Sequence, residues 1–292
     1  MVIKKIKTTA KDLLADGSVS LIIGYGINGL GDVTPVFIKD QDDVEKLVWN
    51  DHCYYNLTRY LSDRDFIGQN NGSIGIIIKG CDQKSLKVLL SESQVNRDKI
   101  KVIGVTCKGL MDSDGNVLAK CEACDVAYPD KDFCDVIIGE DVKKKEKEKN
   151  FSDIDEIDSM DLPERKKFWD NYFERCLRCY ACRNICPLCY CKECIMDQHN
   201  PQWVFPSASV GGNRLFHIVR AYHLTGRCVD CGECERVCPI GIPLRKINRK
   251  IIKVVKERFD FEAGKDQEQK SLSGYATSQG NMIRTPAPQS ST

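Results

Sequence analysis

Four short runs rich in Ile and Val mark the first 140 residues: SVSLIIGY at 18–25, VTPVFI at 33–38, SIGIIIK at 73–79 and KIKVIGV at 99–105. Runs of this length and composition predict strands. The segments between them carry helical spacing. Asp40 is placed to cap QDDVEKLVW and Asp82 to cap QKSLKVLL. Strands alternating with helices predict an α/β domain over 1–140 with a largely parallel sheet. GYGINGLG at 24–31 has the spacing G-x-G-x-x-G through Gly24, Gly26 and Gly29. A dinucleotide loop needs a helix to begin there, with free N–H groups facing a pyrophosphate. Here VTPVFI follows and reads as extended, so the glycines predict a turn or hairpin.

The pattern then changes. EDVKKKEKEKN at 140–150 is almost purely charged and has no apolar face. Residues 141–162 therefore read as a solvated linker. DLPERKKFWDNYFERC predicts a helix with Pro163 in its first turn, where proline is tolerated. NRLFHIVRAYHLTG at 213–226 predicts a second, with Gly226 closing it. PLRKINRKIIKVVKERF at 243–259 predicts a third, with Ile247, Ile251, Val254 and Val255 on one buried face. Residues 163–261 read as a second domain carrying an insertion at 187–227. Residues 262–292 are polar and rich in Gly, Pro and Ser, and read as a disordered tail.

Charge narrows the function classes. The chain has 292 residues, with 43 Lys and Arg against 42 Asp and Glu. General nucleic-acid binding shows as a basic surplus, which is missing here. No apolar run approaches the roughly 20 residues that span a bilayer. The first residues lack the apolar stretch and cleavage site of a signal peptide. The expectation is a cytoplasmic chain with no membrane insertion. Seventeen cysteines in such a chain need a reason. Disulfide frameworks belong to small secreted domains, so metal ligation is the expected use.

The spacing supports that use. Cys176, Cys179, Cys182 and Cys186-Pro187 form C-x2-C-x2-C-x3-C-P, and Cys228, Cys231, Cys234 and Cys238-Pro239 repeat it. In this pattern three thiolates wrap one [4Fe–4S] cluster and the fourth ligates the other cluster. One cluster is then expected on Cys176, Cys179, Cys182 and Cys238, the other on Cys228, Cys231, Cys234 and Cys186. The second domain is thus an α+β, ferredoxin-like dicluster domain. In the first domain, Cys81 and Cys107 each follow a predicted strand, and a parallel sheet brings both to one edge. Cys121 and Cys124 form a CxxC just beyond. These four suit a further centre, [4Fe–4S] ahead of zinc because the rest of the chain already handles clusters. Cys189, Cys191 and Cys194 are surplus to the ferredoxin pattern. With Cys53 they make up the count for a fourth cluster, and Cys134 is left over.

IIIKGCDQKSL, IGVTCKG and CEACDVAYPDKDFCDVIIGE, followed by the double cysteine motif, resemble the beta subunits of coenzyme-F420-reducing hydrogenase and F420-linked formate dehydrogenase. In that family a cysteine follows each of two strands, then comes a CxxC loop and a further strand. Cys134 falls where the family has alanine. The family continues past that strand into a segment that completes a flavin and F420 site. Here the charged linker begins at Glu140, so the resemblance implies a shortened relative in which neither FAD nor F420 binding is expected.

The expected function is an iron–sulfur subunit that relays single electrons between partner redox centres. The assembly would be of formate dehydrogenase or heterodisulfide reductase type, with electron bifurcation one mode open to it. Its partners would be flavoprotein, dehydrogenase or hydrogenase subunits. Two alternatives are a flavin-containing subunit that itself reduces F420 or a nicotinamide, and a zinc-stapled scaffold. No catalytic arrangement stands out among His52, His199, His217 and His223, and the last two read as surface or packing residues. The basic helix at 243–259 reads as a docking surface for a partner.

Overall fold

The computed structural model describes the chain except residues 69, 71, 123, 141–149, 206, 267–271 and 273–292, and except the side chains of residues 64 and 65. It divides into two units, Met1–Asn150 and Phe151–Thr292.

The first unit holds a five-stranded sheet in the order β2-β1-β3-β4-β5. Its strands are β1 (Leu21–Ile27), β2 (Val33–Ile38), β3 (Ile74–Ile78), β4 (Ile100–Val105) and β5 (Val136–Ile138). β1, β3, β4 and β5 run parallel, and β2 joins β1 as an antiparallel hairpin. The glycine-rich stretch is that hairpin. Asn28 closes it by accepting from the backbone N–H groups of Leu30 and Asp32, both at 2.9 Å. Alternation sorts the side chains. Leu21, Ile23, Ile74, Ile76 and Ile78 pack on one face with Leu57, Leu86 and Phe133. Ile22, Ile77, Ile103 and Ile138 pack on the other with Ile6 and Ala10. Ile6 and Ala10 come from α1 (Val2–Ala15), a helix the strand pattern did not anticipate. Covering both faces explains why β3 reads as an unbroken apolar run.

Two caps differ from expectation. Asp40 does cap, accepting from Asp42 N at 3.0 Å, but over a 3-10 helix at Gln41–Lys46. Asp82 is not a cap. α2 begins earlier (Gly80–Ser91), and Asp82 in its first turn reaches back to accept from Lys79 N at 3.2 Å.

The second unit comprises α3 (Ser152–Ser159), α4 (Leu162–Phe173), α5 (Ala181–Asn184), α6 (Val210–His223), α7 (Glu233–Arg236) and α8 (Leu244–Phe259) around two cysteine loops. Among its described residues it has no strand, only an isolated bridge between His199 and Gln202, so the β part of the expected α+β domain is not seen. The expected disordered tail falls largely on residues outside the described set.

α3 lies inside the stretch read as a linker, which corrects that reading for 152–159. Ile154 and Ile157 are buried, and the acidic face of α3 meets α8. Arg249 pairs with Asp153 at 2.9 Å, Lys250 with Asp158 at 2.7 Å, and Lys253 with Asp155. Arg245 and Arg249 also close on Asp230, at 2.7 and 2.5 Å. Most of the charge on α8 is therefore neutralised within its own unit. That corrects the reading of the whole helix as a free docking surface.

Candidate metal centres

In the first unit, β3 and β4 end side by side, with Ile78 opposite Gly104. Three residues further along each chain come Cys81 and Cys107. Cys81 sits in the first turn of α2, and Cys107 N donates to Ala127 O at 3.0 Å. A helical turn at Ala119–Glu122 presents Cys121, and Cys124 N donates back to Cys121 O at 3.3 Å. The four sulfurs form a chain of neighbours. Burial pushes the Cys81 thiol well up, and Asp82 and Cys107 push the same way. Burial raises Cys107, with Cys121 adding to it, and burial raises Cys121, with Cys124 adding to it. Thiols held this way give up their protons only to a compensating cation, which a bound metal centre supplies.

A positive group already lies among them. Lys79 is fully buried, and its Nζ sits 2.7 Å from Asp82 Oδ2 and donates to Cys53 O and Tyr55 O at 2.9 Å and to the Tyr25 hydroxyl. Burial alone would lower its pKa, but Asp82 and Cys81 outweigh that and raise it. Sequence reasoning passed over Lys79. A lysine closing an apolar strand, three residues before an acid, was the available signal.

Cys53 lies in the core of this first unit with no exposure. Its sulfur accepts from Asn50 N at 3.3 Å, and burial pushes the thiol up to about 11. Its neighbours are those of a packed core thiol, with Cys107 and Lys79 nearby. Cys134 precedes β5 rather than lying in it, against Gln83, and burial pushes it up to about 12.

In the second unit the two motifs share one backbone path. Arg178 and Tyr180 have positive φ of 48° and 60°, and the equivalent Asp230 and Gly232 have 63° and 73°. Each left-handed pair turns the loop back on itself before a single helical turn, α5 or α7, delivers the fourth cysteine. Non-glycine residues adopt this conformation at a cost, so its repetition marks a required shape. Cys176, Cys179, Cys182 and Cys238 line one cavity of about 20 Å³, together with Phe216 and His217. Donors face the sulfurs: Arg178 N to Cys176 and Ile242 N to Cys238, each at 3.4 Å, and Asn248 Nδ2 to Cys234 at 3.6 Å. Cys228 neighbours Cys231 and Cys234, and Cys234 neighbours Cys186. The fourth cysteines thus cross between the loops.

Cys186 has a second neighbour. It shares a hydrogen bond with Cys189 that pushes Cys186 well up and Cys189 down, and Cys189 also senses Cys191 and Cys194. Arg220 on α6 is buried among Cys182, Cys186, Cys189 and Cys234, and its Nη2 donates to Cys182 O at 3.0 Å. Sequence reasoning missed it; His217, read there as a surface or packing residue, is buried with its Nε2 3.3 Å from Cys176 Sγ.

Among the described residues, no three His, Cys, Asp or Glu side chains converge tightly enough to hold a single metal ion. A tetrahedral zinc with bonds of about 2.3 Å needs its sulfurs drawn close together. A cuboidal cluster takes one thiolate at each of its irons.

No family model matches the chain. It is 22% identical over 350 aligned residues to the F420-dependent formate dehydrogenase subunit beta of Methanocaldococcus jannaschii, covering 87% of this chain and 88% of that one. The aligned length exceeds the 292 residues of this chain, so that relative carries segments missing here. A match to the F420-dependent formate dehydrogenase 1 subunit beta of Methanococcus maripaludis is 32% identical over 45% of this chain and 30% of that one. One to the sulfhydrogenase 2 subunit beta of Pyrococcus furiosus is 27% identical over 31% and 34%. The chain thus spans about a third of the length of these last two.

Proposed function

This chain is a relative of the beta subunits of F420-dependent formate dehydrogenase and sulfhydrogenase, and on that premise we propose that it is an iron–sulfur electron-transfer subunit of a multi-subunit oxidoreductase. The observation that carries the reading is the crossing of fourth cysteines, with Cys238 in the cavity of Cys176, Cys179 and Cys182. Two [4Fe–4S] clusters would be held there, a third by Cys81, Cys107, Cys121 and Cys124, and a further centre by Cys189, Cys191 and Cys194.

Bound clusters supply one-electron storage. The chain's own residues hold the thiolates, aim N–H groups at them, bury them from water and set cations beside them, Lys79 in one unit and Arg220 in the other. The N–H groups and cations favour added negative charge, burial opposes it, and the balance sets the potential. No substrate step is assigned to any side chain. The partners are redox subunits that deliver and withdraw electrons. No helix among the described residues is long and apolar enough to cross a membrane.

The test is anaerobic reconstitution followed by iron and acid-labile sulfide analysis. The reading expects about twelve iron atoms per chain or more, with equal sulfide. Fewer than about eight in fully reconstituted protein would overturn it. Zinc in place of iron would favour the scaffold.

A further inference from the structure

A groove of about 610 Å³ opens on the second unit between α3, α4, α6 and α8. Its apolar lining includes Leu162, Trp169, Ile218 and Tyr222. Leu162 is 77% exposed, Tyr222 67% and Ile218 39%. Large apolar side chains gathered in one exposed concavity mark an interaction site. Five cations edge it, Arg165, Lys166, Arg214, Lys246 and Lys250. Among the described lining residues two carboxylates face them. Asp170 pairs with Lys166 at 2.6 Å and with Arg214, and Asp158 pairs with Lys250 at 2.7 Å. The rim is therefore basic around an apolar floor.

The floor also leads inward. Trp169 and Phe173 lie one turn apart on α4, with ring centroids 5.9 Å apart and planes 17° from parallel. Phe173 stacks in turn on His217 at 5.4 Å and 14°. His217 Nε2 lies 3.3 Å from Cys176 Sγ. Three stacked rings thus join the groove to a thiolate of the first proposed cluster.

We propose that this groove docks an amphipathic helix of a partner redox protein, apolar along one stripe and flanked by carboxylates, and that electrons cross there between the partner and the centre held by Cys176. An apolar stripe at i, i+3, i+4 and i+7 is what a groove between helices accepts. The surplus of cations selects acidic flanks and speeds encounter. In the step itself the partner's centre loses one electron and the cluster gains it, with no bond broken and no proton moved. The inference rests on the electron-transfer reading, but its binding arm does not depend on iron.

The probe is a labelled synthetic helix with Leu in that stripe and Glu beside it, alongside a twin with Lys for every Glu. Fluorescence anisotropy with the reconstituted full chain should show binding of the acidic helix that weakens with salt, and none of the basic twin. Ile218→Asp, a surface change, should lower affinity about tenfold or more with iron content unchanged. Equal binding of both helices, or no effect of Ile218→Asp, overturns the docking site. A parent chain that sediments as a dimer and becomes monomeric on Ile218→Asp overturns it too, giving the groove to a second copy. For the path, a ruthenium photoreductant on the acidic helix should reduce the clusters on a flash. Trp169→Leu and, separately, Phe173→Leu should slow that phase at unchanged iron, read at helix concentrations that saturate each variant. Unchanged rates in both overturn the ring path. If no iron loads while the acidic helix still binds, the electron-transfer reading has failed and the docking surface has not.

Discussion

Replacing Lys79 by Met should cost the first unit more stability than any surface change, and the amount follows from what surrounds the ammonium. Lys79 is fully buried and its partner Asp82 lies buried with it. Nζ is 2.7 Å from the Asp82 carboxylate and also serves two backbone carbonyls, Cys53 O and Tyr55 O. Methionine fills much the same volume, so cavity formation contributes little. What remains is a carboxylate in the core with no counter-charge, and breaking one side of a buried pair costs about 3–5 kcal/mol. Two carbonyls lose a donor as well. Against a domain stability of about 5–15 kcal/mol this is a large fraction. The compensating change is Asp82→Asn, which removes the stranded charge yet still accepts from Lys79 N, a bond now made at 3.2 Å. The double variant should recover at least half the loss. Trp49 packs on Tyr25 at 5.7 Å, so its fluorescence reports this unit once Trp169 and Trp203 are changed to Phe. Anaerobic urea unfolding in that background gives the double-mutant cycle. A single variant within about 0.5 kcal/mol of the parent, or a double variant no more stable than the single, would refute the argument.

Three further outcomes are expected. Cys107→Ser should remove one cluster's worth of iron while Cys134→Ser removes none, measured by iron analysis and reduced-state paramagnetic resonance; the reverse would show the first unit's ligand set to be wrong. In a chain with Cys228, Cys231 and Cys234 all changed to Ser, adding Cys238→Ser should lower the remaining iron and adding Cys186→Ser should leave the Cys176 cluster's signal intact, if the fourth ligands cross as proposed. Gly80→Ala should lower iron at the first unit's centre without touching the second unit's pair, since the new methyl would lie 2.4 Å from Val126 O and push away the loop that follows Cys121 and Cys124; full iron loading would show that the loop yields freely.

The sequence alone determined the parts of this protein that depend on local spacing. β-branched runs bounded by turn residues place the first four strands to within three residues, because strand formation follows side chains and their immediate neighbours. The two C-x2-C-x2-C-x3-C-P loops are readable for the same reason: their spacing lets one tight turn present three sulfurs. Distant partners were not readable. Pairing α8 with α3 takes the acids at 153, 155 and 158 as the counter-charge for residues ninety and more positions later. Seen as a sequence, the same two segments are a basic helix and a charged linker. Lys79, Arg220 and His217 look like ordinary polar residues in the chain. Only the fold buries them, and burial gives them their importance, since a charge or ring nitrogen withdrawn from water must find its partner among the thiols packed beside it.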